Sequence, residues 1–156
     1  MKNALIFGLS LSALHLLWLF LELGLGWHTK NIADYGVYTN LSILPWTILW
    51  VWGVYQNKKT WKKEATFARQ FQFGLVATAV STAVIGPLLW MYFTFVHPSF
   101  FSNMITYAME QGHFSSVQAA ESFYNLSSTV VFTLTGNASM GVLYSASLAW
   151  LFSSKE

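Results

Sequence analysis

The stretch ALIFGLSLSALHLLWLFLELGLGW, residues 4–27, decides the structural class of this chain. Its only ionisable side chains are His15 and Glu22, set among leucine, phenylalanine and tryptophan. A helix of about 20 apolar residues crosses the ~30 Å hydrocarbon core of a bilayer, so the stretch predicts a membrane-spanning helix. The apolar run is longer than the roughly 7–15 residues of a signal peptide, and no small-residue cleavage site follows it. We therefore expect the helix to be retained.

Composition extends this interpretation to the whole chain. Of its 156 residues, 54% are hydrophobic and 9% are charged, whereas soluble domains carry about 25% charged residues. Most of the surface is therefore expected to face lipid. The formal net charge of +2 predicts no nucleic-acid partner, and the absence of cysteine excludes disulfides and thiolate metal sites.

Three further apolar segments follow, at about residues 37–55, 71–96 and 124–152. With the first they predict an all-α fold, an integral membrane four-helix bundle that forms a single transmembrane domain over residues 1–156. Thr39, Asn40 and Ser42 dilute the start of the second segment, and Pro45 interrupts it. Pro87 lies within the third segment. Both prolines are expected to bend their helices.

The basic residues predict the orientation. In a four-span topology Lys30 lies on one side, and all the others lie on the opposite side: Lys2, Lys58, Lys59, Lys62, Lys63, Arg69 and Lys155. The positive-inside rule then places both termini in the cytoplasm of a bacterial inner membrane. The run KKTWKK, residues 58–63, either only fixes this topology or also attracts anionic lipid headgroups, at about 1 kcal/mol per basic residue.

The segment between the third and fourth spans, residues 97–123, predicts an amphipathic outer helix. Pro98 suits its first turn, and Gly112 suits its end. Its apolar residues recur at helical spacing: Phe100, Phe101, Met104, Ile105 and Ala108. Ser115 and Gln118 then form a capping box for a helix that runs into the fourth span. The outer helix either caps the bundle or offers a docking surface.

His15 and Glu22 share one face of the first helix, because seven residues turn a helix by about 700°. His15 lies near the midplane, so we expect it to be neutral and hydrogen-bonded to Asn137 or a threonine. Glu22 lies near the outer boundary, where we expect it to be ionised and paired with Lys30 or His28, or capped by water. A proton relay is the alternative, but the inner half has no acidic or histidine step for it.

Small and polar residues recur every four positions in the third and fourth spans. They are Gly74, Thr78, Thr82 and Gly86 in one, and Thr133, Asn137, Gly141, Ser145 and Ala149 in the other. Such rows predict a tightly packed helix pair, with a pore lining as the alternative. Asn137 is the candidate polar residue within them, because an unpaired amide in hydrocarbon is costly.

No catalytic signature is present, whether H-E-x-x-H, G-x-S-x-G or a phosphate-binding glycine loop. The sequence therefore predicts no enzyme and no cofactor. The acidic and histidine residues outside the spans match no metal-ligand spacing: His28, Asp34, His97, Glu110, His113 and Glu121. A membrane enzyme acting on lipid headgroups through Glu110 and His113 is the least favoured hypothesis.

Five short runs carry a family resemblance: ELGLGWH (22–28), YTNL (38–41), FARQFQFGL (67–75), HPSFF (97–101) and MGVLYSASLAWLF (140–152). Together they resemble a family of small bacterial inner-membrane proteins of unknown function, common in Bacteroidota. The resemblance implies four spans with a long segment between the third and fourth. It implies no substrate, cofactor or catalytic residue.

Two functions remain open at this point. The leading hypothesis is a non-enzymatic accessory or interaction subunit, with a membrane-protein partner or a second copy of the chain. The alternative is a small transporter or proton-coupled channel that uses His15, Glu22 and Asn137.

Overall fold

The structure, a computed structural model, describes residues 1–154, and this part of the chain is helical throughout, without strands. Seven α-helices follow one another: α1 Lys2–Gly24, α2 Ile32–Tyr38, α3 Ile43–Trp61, α4 Phe67–Met91, α5 Phe100–Glu110, α6 Val117–Phe123 and α7 Leu126–Phe152. Short 3-10 turns occupy Thr39–Ser42 and Lys62–Glu64, and a π-helical turn, Tyr92–Val96, extends α4. The all-α prediction is confirmed. Lys155 lies outside the described residues.

Helices α1 and α4 run side by side in the same direction. Near their beginnings, the Phe7 and Phe73 rings stack with centroids 5.4 Å apart. Near their ends, the Tyr92 hydroxyl donates a hydrogen bond to the Leu19 carbonyl at 3.1 Å. The two helices therefore keep one register over their whole length.

Helix α3 runs antiparallel to α1 and parallel to α7. Trp50 packs edge-on against Phe7 of α1 at 5.2 Å and stacks on Tyr144 of α7 at 5.6 Å. One turn towards the start of α3, Thr47 shares a hydrogen bond with the Tyr144 hydroxyl at 2.5 Å. The four long helices thus run alternately in opposite directions.

Small residues bring α4 close to α7. A β-carbon on Gly74 would overlap the Ser145 side chain, and one on Gly141 would overlap Thr78. The four-residue rows of the third and fourth segments therefore face each other, and the predicted tight helix pair is confirmed. On the other side of α4, a β-carbon on Gly8 of α1 would lie 2.6 Å from a backbone carbonyl oxygen.

The predicted second span is misplaced. Residues 37–42 belong to the end of α2 and a 3-10 turn, and α3 continues to Trp61, beyond the predicted end at residue 55. Pro45 does not interrupt α3, because it lies in the first turn, where a backbone N–H has no intrahelical acceptor to lose. The polar residues 56–60 are helical, although the composition argued for an earlier end.

Three helical segments of the described chain are long and apolar enough to cross a membrane: Lys2–Gly24, Phe67–Val96 and Val117–Phe152. This indicates a membrane protein. Helix α3 is not among them, so only three of the four predicted spans have this support. The helices that contain the predicted first and third spans begin at Lys2 and Phe67, and the first of them ends at Gly24.

Both described ends of the chain meet at the same end of the bundle. The Ser154 backbone N–H donates to the Ala65 carbonyl at 2.9 Å, and its hydroxyl donates to the Lys62 carbonyl at 2.8 Å. Lys2 and Arg69 border one cavity there. We call this the basic end, and the end that carries α2, α5 and α6 the opposite end.

The amphipathic outer helix is present as α5. Its apolar stripe is buried through Phe100, Met104 and Ala108, and it ends before Gly112, whose φ of +69° suits glycine. Pro98, however, precedes the helix, because Ser99 is its N-cap. The burial of this stripe against the bundle agrees with a capping role.

The structure contains a second outer helix, α6, and its N-cap differs from the predicted one. The cap is Ser116, whose hydroxyl accepts from the Ala119 N–H at 3.2 Å, and not Ser115. The helix also does not flow into the fourth span. Asn125 lies between the two helices and is the N-cap of α7, since its side chain accepts a hydrogen bond from the Ser128 N–H at 2.8 Å.

We predict that Gly141→Leu destabilises the protein and Gly136→Leu does not. A side chain at Gly141 must displace Thr78, which costs about 1–3 kcal/mol, whereas nothing lies within 4 Å of a β-carbon at Gly136. Both glycines lie on α7, so the gain in helix propensity is the same. Unfolding in mixed micelles with increasing SDS measures the difference. Equal stability of the two variants would contradict the α4–α7 packing.

Candidate functional site

Glu22 is the most deeply buried carboxylate of the described chain, with 1% of its surface exposed. The Trp18 indole N–H, one helical turn earlier, donates to its Oε1 at 2.6 Å. Its Oε2 lies 3.0 Å from His28 Nε2. Of the three alternatives expected for Glu22, the structure shows the pairing with His28.

A glycine turn brings His28 back to Glu22. Helix α1 ends at Gly24, and Gly26 adopts a φ of +78°, a left-handed conformation that favours glycine. The Trp27 N–H then donates to the Glu22 carbonyl at 2.9 Å. This reversal places the fully buried His28 ring beside the last turn of α1.

Both ring nitrogens of His28 have a polar partner. Its Nδ1 lies 3.0 Å from the Tyr92 hydroxyl oxygen, and that hydroxyl also lies 3.1 Å from the Leu19 carbonyl oxygen. Its Nε2 faces the Glu22 carboxyl group. The polar atoms of the two buried side chains are thus paired with one another and with their neighbours, as an apolar surrounding requires.

His97 and Asn103 complete the site from the other side. His97 Nε2 donates to the His28 carbonyl at 3.2 Å, and the Asn103 amide donates to it at 2.9 Å. The His97 and His28 rings stack with centroids 5.7 Å apart, and Phe100 packs edge-on at 4.7 Å. The site thus joins α1, the following turn, the end of α4 and α5. We call Trp18, Glu22, His28, Tyr92 and His97 the Glu22 cluster.

Tyr35 of α2 borders this cluster without adding charge to it. Its ring lies 5.4 Å from the His28 ring and 5.3 Å from Phe100. Burial, together with the negative charge of Glu22, raises the pKa of the Tyr35 phenol above its usual range. The phenol therefore stays protonated at neutral pH.

His15 does not make the expected bond to Asn137. Asn137 instead donates a hydrogen bond to Thr82 Oγ1 at 2.7 Å and accepts one from Ser81 Oγ at 3.4 Å. Both hydrogen-bond partners of its side-chain amide therefore come from α4. His15 is half-buried, with its ring 6.5 Å from Trp46, and no side-chain hydrogen bond to it occurs within residues 1–154. The prediction of a neutral His15 is not tested by these contacts.

His15 and Asn137 nevertheless border the same cavity. It has a volume of about 180 Å³ and lies between α1, α3 and α7, where Trp46, Thr133 and Tyr144 complete its wall. The three predicted polar residues are therefore divided between two places. His15 and Asn137 line this cavity, and Glu22 lies in its own cluster.

The predicted basic residues lie at the basic end. Lys58 and Lys59 belong to the last turn of α3, and Lys62 and Lys63 to the 3-10 turn after it. The Lys59 ammonium lies over the Tyr55 ring, 4.6 Å from its centroid. The segment ends α3 with exposed charge, as a boundary between an apolar and an aqueous region requires.

A buried amide pair lies just inside the basic end, and the sequence did not point to it. Asn57 Nδ2 donates to Gln70 Oε1 at 2.5 Å, and Gln70 Nε2 donates to the Val54 carbonyl at 3.4 Å. Both side chains are buried. The pair joins α3 to α4 where the polar residues of α3 begin.

The remaining predicted polar residues are dispersed. His28 and His97 meet in the Glu22 cluster, which includes none of the other residues weighed as ligands: Asp34, Glu110, His113 and Glu121. Within residues 1–154, no three histidine or acidic side chains lie close enough to hold a metal ion.

Trp18 and Tyr92 were not singled out from the sequence, and His97 was considered only as a metal ligand. Trp18 had a usable signal, since it precedes Glu22 by one helical turn on the same face. Tyr92 and His97 are polar residues at the end of the third apolar segment, the same end as Glu22. A search for polar residues at equal depth in different spans would have grouped them.

A comparison with protein families identifies the chain. The profile of a family of proteins of unknown function, DUF4199, matches residues 3–154. The chain belongs to the DUF4199 family. Comparisons with curated proteins and with solved structures find no match. The family membership confirms the expected resemblance to a family of unknown function, while the bacterial source stays a prediction.

We predict that Glu22→Ala destabilises the protein by about 3–5 kcal/mol, because it leaves Trp18 and His28 buried without their acceptor. Glu22→Gln keeps the shape and one acceptor oxygen, so its loss is smaller. Glu121→Ala, at an exposed position of α6, is the matched control with little effect. Thermal unfolding in detergent measures all three. A Glu22→Ala variant as stable as the control would contradict the cluster's structural role.

Proposed function

We propose that this DUF4199 protein spans a bacterial cytoplasmic membrane four times and acts as a non-enzymatic accessory or interaction subunit. The three apolar helices support the membrane location. Helix α3 is the fourth span of this proposal, and the basic end is its cytoplasmic side.

The dimensions and surface of α3 support a spanning role. Its 19 residues are about 28 Å long, close to the thickness of the hydrocarbon core. Leu44, Ile48 and Trp52 on its outer side are more than half exposed, as expected of residues that contact lipid. The Asn57–Gln70 bond explains how its polar end packs beside α4 in spite of a low hydropathy.

The distribution of charge supports the orientation. Among the described residues, Lys2, Lys58–Lys63 and Arg69 lie at the basic end, and Lys30 follows α1 at the opposite end. Positive residues beside membrane spans remain preferentially in the cytoplasm. Helices α2, α5 and α6 would then lie on the periplasmic side.

The topology predicts which positions an impermeant reagent reaches. The chain contains no cysteine, so single variants can be labelled without a background. In intact spheroplasts, a membrane-impermeant maleimide should label Gln111→Cys, in the turn after α5, and should leave Lys59→Cys unlabelled. Both should react after lysis, which controls for accessibility. Labelling of Lys59→Cys in intact spheroplasts would contradict the orientation.

One observation supports a subunit over an enzyme: the ionisable groups of the Glu22 cluster are satisfied by one another. Glu22 and His28 are 1% and 0% exposed, so neither reaches a substrate, and each bonds to neighbouring residues. An acid–base catalyst must lie within hydrogen-bond reach of the group that it protonates. The cluster instead ties the ends of α1 and α4 to α5.

The available surface is apolar on each long helix. Examples of the exposed fraction are 65% at Leu17 of α1, 69% at Ile48 of α3, 50% at Trp90 of α4 and 59% at Leu143 of α7. In a bilayer these faces contact lipid unless another helix covers them. A partner span or a second copy would bind one of them.

A photo-crosslinking scan tests for this partner. A photoreactive amino acid at Leu17, Ile48, Trp90 or Leu143, one position at a time, should give a discrete adduct in native membranes from one face. An unirradiated sample of each variant is the matched negative control. An adduct of twice the chain's mass that contains two differently tagged copies identifies a homo-oligomer. No adduct above the unirradiated level at any of the four faces would count against the proposal.

The cavity beside His15 favours a second candidate, a small transporter or proton-coupled channel. His15 and Asn137 both border this open cleft of about 180 Å³. Glu22 takes no part, because its oxygens are engaged by Trp18 and His28. Flux in proteoliposomes that His15→Leu abolishes would decide for this candidate over the subunit.

A further inference from the structure

Two cavities at the basic end adjoin each other between α1, α3 and α4. The first has a volume of about 380 Å³ and the second about 210 Å³. They share four lining residues, from α1, α3 and α4: Asn3, Asn57, Thr60 and Phe73. We call the combined cleft the basic groove.

The chemistry of the groove changes along its length. At its outer mouth lie the cations Lys2 and Arg69 together with the amide of Gln72. The deeper part runs along α1 and α3 between apolar side chains, among them Ile6 and Trp52, which are 53% and 56% exposed. A molecule that fills the groove needs an anionic head and an apolar tail.

Arg69 can exchange its present partner for such a head. Its guanidinium lies over the Trp61 ring, 4.5 Å from the centroid, and forms an ion pair with Glu64. The paired side chains are 45% and 68% exposed, and ion pairs so open to water contribute little. A phosphate at the mouth of the groove would therefore replace Glu64 readily, while the contact with Trp61 holds the guanidinium in place.

We propose that the basic groove binds an anionic phospholipid. The phosphate lies between Lys2 and Arg69, and one acyl chain follows the groove past Ile6 and Trp52. The location suits this ligand, because Lys2 begins α1 and Trp61 ends α3, so the mouth lies at the level of the headgroups in the proposed membrane. A soluble phosphate compound would leave the apolar half empty.

Native mass spectrometry of the purified protein tests the site. With phosphatidylglycerol added to the detergent micelles, the wild type should retain bound lipid, and with phosphatidylcholine it should retain far less. Lys2→Gln and Arg69→Gln should each weaken the binding of phosphatidylglycerol about fivefold, because each removes a direct contact with the phosphate worth ~1 kcal/mol. Lys63→Gln is the matched control, because it removes the same charge at the same end outside the groove. It should leave the binding unchanged.

Further variants and competitors separate the possible results. Gln56→Trp, which adds bulk in the apolar half alone, should reduce lipid binding without a change in charge. Glycerol 3-phosphate should not compete, because it lacks the acyl chain. If glycerol 3-phosphate competed at equal concentration, the ligand of the groove would be a soluble anion and the lipid proposal would be wrong. A loss in Lys63→Gln equal to that in Arg69→Gln, or equal retention of the two lipids, would overturn the proposal.

Discussion

The backbone of α4 approaches α1 and α7 so closely that larger side chains have no space at the points of contact. Gly8 meets the carbonyl oxygen of Ala77 on one side, and Gly74 meets Ser145 on the other. In the bilayer that we propose, apolar surface gives helices no reason to prefer each other to lipid, so close packing and hydrogen bonds must hold them together. Ser12 adds such a bond, from its hydroxyl to the Ser81 carbonyl at 3.4 Å. The register set here determines which groups meet at both ends of the bundle.

At the opposite end, that register brings Glu22 of α1 to the level of Tyr92 of α4. Without it His28 could still bond to Glu22, but the Tyr92 hydroxyl would not bridge His28 and Leu19. At the basic end, the same alignment leaves the groove between α1 and α3 beside Phe73. One close contact thus supports a sealed polar cluster at one end and an open cleft at the other.

Local patterns in the sequence predicted the features that follow from the periodicity of individual helices. Rows of small residues four apart predicted the α4–α7 interface, because helical periodicity fixes which residues share a face. The position of α3 was less predictable, since the buried Asn57 depends on Gln70 from another helix. The predicted hydrogen bond between His15 and Asn137 was wrong for a similar reason. Depth along α1 placed His15 near the right level, but Thr82 and Ser81 of α4 already satisfy the amide.

The turn around Gly26 has a consequence for how the protein enters the membrane. Trp18, Glu22 and His28 lie within a short stretch of chain, so they can meet before α4 has been synthesised. An ionisable side chain without polar partners is costly in the hydrocarbon core. The Trp18 indole and the His28 imidazole supply such partners while later segments are still being added. In the proposed membrane, the carboxyl group of the first helix therefore does not depend on α4 for its first hydrogen bonds.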